Sequence, residues 1–372
     1  MRVQLLSGIL FLCCSCVSNS QEQHSAFNQP VDSLHTDSIT LLFAGDLMQH
    51  MEQINAAQKG SGYDYSECFR EVQDEISGAD LAIGNLEVTL AGKPYAGYPS
   101  FSAPDEFLYS IKQAGFDILT TANNHCLDRG TRGVIRTNRM LDSLQIPRVG
   151  AYHDSVERNS TYPLLIEKKG FRIVFLNYTE LTNGISAKYP TVVNYMDKNL
   201  VKTDIEKAKT LSPDVIIAFM HWGQEYKSLP DTKQKEWADW LLSQGVTHVI
   251  GSHPHVVQPM ELRKDSLTQS QHLIVYSLGN FISNMSQRGT DGGLMLHLTF
   301  VKDSTVRLAQ QAYSMVWMLR PLLGSKNYKV IPATSYPRDS LSPAARTRMG
   351  QFVSDTRCLM INHFGGVKER TY

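Results

Sequence analysis

An α/β layered domain is the fold class this sequence predicts, on two observations. Short apolar, β-rich runs alternate with stretches whose apolar residues recur at helical spacing, from about Ser38 to Asn280. Most of these runs then stop abruptly at amides, imidazoles or carboxylates. A parallel strand delivers such residues to the carboxyl edge of its sheet, where α/β folds keep their sites.

The first sixteen residues stand apart from that domain. Arg2 is followed by an apolar stretch from Leu5 to Leu12 and then by Cys13, Cys14, Ser15 and Cys16. This is the pattern of an export signal, too short to span a bilayer, which takes about 20 apolar residues. Its end resembles a bacterial lipobox, with Cys16 the lipidated residue because small Ser15 precedes it, and Cys14 the alternative. Plain secretion with cleavage nearby is the other reading. The expectation is an exported lipoprotein, periplasmic or at the cell surface, held to a membrane through its N-terminal lipid. Residues 17–38 are polar and rich in Ser, Gln, Asn and Asp, which suits a flexible tether.

Composition narrows the rest. Lys plus Arg equals Asp plus Glu at 36 each, and no basic run is visible, so nucleic acid is a poor partner. Beyond the signal only Cys68, Cys126 and Cys358 remain, without metal-type spacing, and no disulfide is assigned.

In chain order, Ser38 to Ala44 is a strand ending in Gly45-Asp46. A helix is expected over Tyr65 to Ser77, and the strand Ala79 to Gly84 ends in Asn85-Leu86-Glu87. Pro104 to Ala114 is a helix with Pro near its first turn and Gly115 past its end. The strand Phe116 to Thr121 then breaks into Ala122-Asn123-Asn124-His125, with Asp128 following, and Gly130 to Leu144 is a helix. A turn whose amides bond the backbone is the plainer reading of Asn123 and Asn124. Next come a strand from Arg172, a helix over Leu200 to Leu211, and the strand Asp214 to Met220, which runs into His221-Trp222-Gly223. In the helix Lys233 to Gln244, Trp237, Trp240 and Leu241 sit at core spacing. The strand from Thr247 to Ile250 ends in Gly251-Ser252-His253-Pro254-His255, and that from His272 ends in Leu278-Gly279-Asn280. Residues 293–301 alternate and pair with a strand after the Lys302-Asp303-Ser304 turn, an expected hairpin at the sheet edge. Ser342 and Pro343 open a C-terminal helix. The expected organisation is 1–16 signal, 17–38 tether, 39–300 main domain and 301–372 an extension of strand and helix.

Collected together, the strand ends supply Asp46, Glu87, Asn124, His125, His221, His253 and His255. Each is a metal-ligand or acid/base type. Imidazoles with carboxylates suit first-row divalent ions such as Mn, Fe, Zn or Ni rather than Ca. Two such ions about 3.5 to 4 Å apart need roughly six to eight protein donors, about what this set provides.

At this point the ordered motifs Gly45-Asp46, Asn85-Leu86-Glu87, Ala122-Asn123-Asn124-His125 with Asp128, His221-Trp222-Gly223, Ser252-His253-Pro254-His255 and Ser277-Leu278-Gly279-Asn280-Phe281 resemble the CapA family, named for poly-γ-glutamate capsule biosynthesis. That family is similar in turn to the calcineurin-like metallophosphoesterases. The resemblance implies a metallo-dependent phosphatase-like double β-sandwich flanked by helices, with two divalent metal ions (Mn, Fe or Zn). By that resemblance Asp46 is the first metal carboxylate and Glu87 the bridging one. Asn124 is the amide ligand, His221 the distal histidine, and His253 and His255 the pair divided between the ions. His125 is the general acid, and Asp128 is the carboxylate placed to hold it. Two positions depart from the phosphoesterase pattern. Met48 stands where that pattern has a histidine, with His50 a candidate substitute, and the bridging carboxylate is Glu instead of Asp.

The implied activity is hydrolysis or transfer at an amide or ester in making, anchoring or trimming an exopolymer such as poly-γ-glutamate. An exopolymer or peptide-like substrate and a polymer synthase complex are the expected partners. A non-catalytic accessory protein of polymer synthesis or export and a periplasmic metallophosphodiesterase stay open. Glu225 is a further acid/base candidate, and Arg129 and Arg132 are candidates for holding a substrate anion. For all three, an ordinary loop bond or a solvated helix start is as good an explanation.

Overall fold

The computed structural model describes residues 37–265, 270–321, 327–363 and 365–370. The expected signal, and the expected tether apart from Asp37 and Ser38, lie outside the described residues. Those two already belong to the first strand, Asp37–Leu47.

Two sheets form the centre. In the larger, Asp37–Leu47, Leu81–Leu86, Ile118–Thr120 and Arg148–Val149 run parallel in that order. On the other side of the 37–47 strand the sheet continues antiparallel through Gly292–Lys302, Val306–Leu319 and Lys329–Pro332. The smaller sheet has a parallel core of Phe171–Thr179, Val215–His221, His248–Ser252 and Gln271–Val275. Antiparallel edges, Leu164–Lys168 and Met260–Lys264, close it.

Side-chain alternation along the 37–47 strand explains how the layers stack, since successive residues point to opposite faces. Ile39, Leu41 and Phe43 enter a core shared with Ile173, Phe175, Ile217 and Val249 of the smaller sheet. There the Phe43 and Phe219 rings meet at 5.5 Å. Leu42 and Ala44 face the other way, onto Phe107, Leu108 and Ile111 of the helix Asp105–Ala114. The helices Lys198–Thr210 and Thr232–Ser243 pack through Val201, Ile205, Trp237 and Leu241 into the first core, with the smaller sheet. Two packed sheets with helices outside are thus the architecture, as expected. Each large side chain buried here contributes about 1.5–3 kcal/mol relative to exposure.

Two expectations differ. The stretch 65–77 holds only a short helical piece, Arg70–Val72 and Gln73–Ser77, because the Cys68 carbonyl accepts from the Val330 N–H at 2.8 Å instead of feeding a helical ladder. The 292–302 strand is interior, not at the edge, lying between 37–47 and 306–319. Residues 301–372 therefore add strands to the same sheet, and their helix, Pro343–Asn362, docks Met349, Phe352 and Val353 into its core.

Candidate metal centre

The larger sheet supplies the carboxylates. Pairing of the 37–47 strand with 81–86 shifts register between Phe43 and Asp46, a bulge that re-aims the strand end. Gly45 makes the turn possible, since a Cβ there would lie 1.9 Å from the Gly279 carbonyl oxygen. Asp46 and Glu87 are both fully buried. Between them stands Asn85, whose Nδ2 donates to Asp46 Oδ1 at 2.8 Å and to Glu87 Oε2 at 3.2 Å. Its own Oδ1 accepts from Thr120 Oγ1 and Asn123 Nδ2. Asn85 was absent from the expected set, although it lies within the quoted strand-end motif. Two residues before Glu87, it shares that side of the strand.

The smaller sheet supplies the imidazoles. His221 ends one strand, and the neighbouring 248–252 strand runs directly into His253 and His255. His253 has φ 100° and His255 φ 59°, left-handed values that cost a non-glycine residue of order 1–3 kcal/mol and mark sites where geometry outranks backbone comfort. His221 Nδ1 lies 3.0 Å from Ser252 Oγ, and His255 Nδ1 lies 3.0 Å from Asn280 Oδ1. An Nδ1–H donated to these oxygens would leave each Nε2 lone pair facing inward. His221 Nε2 then faces Asn124 Oδ1 at 2.9 Å and Glu87 Oε1 at 3.6 Å, while His255 Nε2 faces Glu87 Oε1 at 3.9 Å.

Electron-rich side chains thus converge on one buried volume. Potential ligand atoms of Glu87, His221 and His253 lie within 4.8 Å of one another, and so do those of Asp46, Glu87 and His255. Glu87 belongs to both groups. Asp46 Oδ2, Glu87 Oε1 and His253 Nδ1 are buried without a hydrogen-bond partner, an arrangement the fold would not tolerate cheaply without a cation. Titration tells the same story. Burial, then the Asp46 charge, pushes the Glu87 carboxyl well up. Burial, then its histidine neighbours, pushes His221 well down, and His253 falls to about 4 through burial and His255. For His255 burial pulls downward, but the Asp46 carboxylate outweighs it and the net shift is upward. The donor set fits a pair of divalent cations sharing Glu87.

Beside this centre, His125 is buried and its Nδ1 lies 2.8 Å from Asp128 Oδ2. The same oxygen accepts the Phe101 N–H at 2.7 Å, and the Phe101 ring meets the His125 ring edge-on at 4.6 Å. Asn123 Oδ1 accepts from the His125 N–H, the backbone turn that was the plainer reading of that amide. Asn124, by contrast, turns its oxygen to His221 and its Nδ2 to Asn183 Oδ1 at 3.4 Å. Glu225 is exposed on the loop after the 215–221 strand, near enough for its charge to act on Glu87 and His253. His50 is in neither ligand group.

The bacterial capsule synthesis protein family, PGA_cap, matches residues 40–285, a stretch that holds every residue of this centre. The chain belongs to this family. Among its curated relatives, the capsule biosynthesis protein CapA of Bacillus anthracis is 28% identical over 267 residues, covering 68% of this chain and 62% of that protein, just under two thirds of its length. The PGA biosynthesis protein CapA of Bacillus subtilis (strain 168) is 26% identical over 292 residues, covering 74% and 72%. The calcineurin-like phosphoesterase YfkN from Bacillus subtilis has a partly similar fold, with TM-score 0.45 and 12% identity over 86% of this chain and 98% of that one. The helix Pro343–Asn362 lies beyond the family match.

Proposed function

We propose that this member of the family is a metal-dependent hydrolase or transferase of the cell envelope, acting on an amide or ester bond in the synthesis, anchoring or trimming of poly-γ-glutamate or another capsule-type polymer. The observation that carries the reading is Glu87, one buried carboxylate shared by two ligand triads and left with an unsatisfied oxygen. Asp46, Glu87 and His255 would hold one divalent ion; Glu87, His221 and His253, with Asn124 Oδ1, would hold the other. Bound there, the ions would supply Lewis acidity and lower the pKa of a coordinated water toward neutrality. The chain's own residues do the rest. Asn85 fixes the two carboxylates, Ser252 and Asn280 orient the imidazoles, and Asp128 holds His125 Nδ1 so that Nε2 is free to pass a proton to a leaving group.

The His125–Asp128 pair beside an amide ligand also favours a second reading, a metallophosphodiesterase. Metal analysis of the soluble domain, followed by assays with poly-γ-glutamate and a bis-aryl phosphate in added Mn²⁺, separates them. Polymer cleavage without phosphodiesterase activity supports the first, and the reverse supports the second. Full metal occupancy with neither activity supports an accessory protein of polymer synthesis or export.

The lipid anchor and a place beside a polymer synthase are part of the same proposal. Among the described residues no helix is long and apolar enough to cross a membrane. Labelled palmitate is expected to enter the wild-type precursor and not Cys16→Ser; label retained in that variant overturns the Cys16 assignment or moves it to Cys14.

A further inference from the structure

His50, four residues beyond Asp46, is held from three sides. Its Nδ1 lies 3.1 Å from the Asn284 N–H, a fixed donor, so Nδ1 accepts and the ring proton sits on Nε2. Gln53 Oε1 lies 3.3 Å from the same nitrogen but already accepts the His50 backbone N–H at 2.8 Å. The ring stands edge-on to Phe101 at 5.2 Å, and Phe101 in turn stands edge-on to His125. Gly97 lets the loop that carries Phe101 lie on this backbone, since a Cβ there would be 2.4 Å from the Met51 nitrogen and 3.1 Å from the His50 Cα. Burial first, with His255 and His125 adding, lowers the His50 pKa to about 4 against the opposing pull of Gln53 and Glu52, so the ring is neutral at pH 7. Among the described residues no partner is found for Nε2 and it is not a buried orphan, so that edge of the ring reaches solvent.

A neutral imidazole with a fixed tautomer, an open N–H and a place among the site histidines is poorly suited to bind metal, which takes a lone pair, and well suited to donate. We propose that His50 is a substrate-binding residue, its Nε2–H donating to an acceptor oxygen next to the bond that is cleaved. The proposal rests on the hydrolase reading above. It also gives a role to the position where the resemblance leaves a gap: with Met48 in place of the usual ligand, His50 contacts the substrate and not the ion.

The test uses the full chain loaded with Mn²⁺ and two variants. His50→Phe keeps the ring against Phe101 and loses the donor, whereas His50→Gln keeps an N–H. Expected for His50→Phe are unchanged metal content, a lowered thermal midpoint because the Asn284 N–H loses its acceptor, kcat within about twofold, and KM raised roughly 3- to 10-fold, the worth of one neutral hydrogen bond; His50→Gln recovers most of the KM. Loss of an ion in His50→Phe makes His50 a ligand and overturns the proposal. So does a wild-type KM, which leaves the ring a packing role alone, or a fall in kcat with KM unchanged. If the wild type turns over neither polymer nor phosphodiester, the hydrolase reading fails by itself. Calorimetric binding of a γ-linked glutamate oligomer then reads His50 separately: weaker binding by His50→Phe than by wild type upholds the contact, and equal or undetectable binding overturns it.

Discussion

Two of the buried charged clusters among the described residues differ in one respect. Arg158, Asp204 and Tyr178 form the first. Arg158 Nη2 donates to Asp204 Oδ2 at 2.6 Å, Arg158 Nε donates to Asn194 Oδ1 at 2.6 Å, and the Tyr178 hydroxyl donates to Asp204 at 3.0 Å. Charge and hydrogen bonds close within the protein. In the second, Asp46 and Glu87 face the imidazoles of His221, His253 and His255, and three polar atoms are left with no partner. A buried carboxylate alone therefore says little about function; whether the surrounding chain satisfies it says a great deal.

That contrast can be broken at either end. The largest effect is expected in the closed cluster: Arg158→Met leaves Asp204 buried and unpaired and lowers unfolding free energy by about 3–5 kcal/mol, equally with and without metal, in denaturant titrations. Next comes His125→Asn, which on the proposed chemistry lowers the rate by about 10²–10⁴-fold while metal content by atomic spectroscopy is unchanged. Third, Mn²⁺ at a hundredfold its Kd is expected to stabilise the wild type by about 2.7 kcal/mol and Glu87→Gln hardly at all. The metal-free variant is expected to melt above metal-free wild type, because a carboxylate beside Asp46 has been removed. A rise in melting temperature by scanning calorimetry that survives Glu87→Gln would place the ions elsewhere.

A pH-dependent effect belongs to His248, at the start of the strand that runs into His253. Its Nδ1 accepts the Leu273 N–H at 3.0 Å and its ring packs on Phe300 at 5.2 Å, so this Nδ1, unlike that of His253, is satisfied by protein. Burial, then His272, lowers its pKa from 6.5 to about 3. The unfolded chain takes up the proton first, so stability is full above pH 6.5 and declines as pH falls toward 3. The slope from this one group is at most about 1.4 kcal/mol per pH unit. In metal-free protein, His248→Gln is expected to flatten acid unfolding over that window, and an unaltered slope would assign it to the site histidines.

Much of this was legible from residue types and period. The strands ending at Asp46, Glu87, Asn124, His221 and His253 announce themselves because an apolar run stops at a polar cluster, and the structure brings those side chains together. What period cannot show is the neighbour across the sheet. The alternation at 293–301 predicts a strand but not that 37–47 lies beside it, and Tyr65, Phe69, Val72 and Ile76 keep helical spacing in a stretch whose Cys68 carbonyl belongs to a distant strand. Asn85 was missed because an amide at the end of a buried strand reads as its terminus. Its role exists only when Asp46 and Glu87 flank it.

The interior position of the 292–302 strand bears on how the chain comes to be folded at all. Ile39 pairs with Phe300 and Ala44 with Met295, whereas the other edge of the same strand pairs with Leu81 to Leu86. A chain emerging from its N-terminus can make the second pairing early, but the first must wait until residue 302 has been made. Until then the strand that carries Asp46 keeps an open edge of unpaired amides and carbonyls, the kind of edge that recruits other chains. Closure of that edge therefore depends on residues about 250 positions further along the chain, and a chain lacking 292–302 would leave the edge of the first strand without this partner.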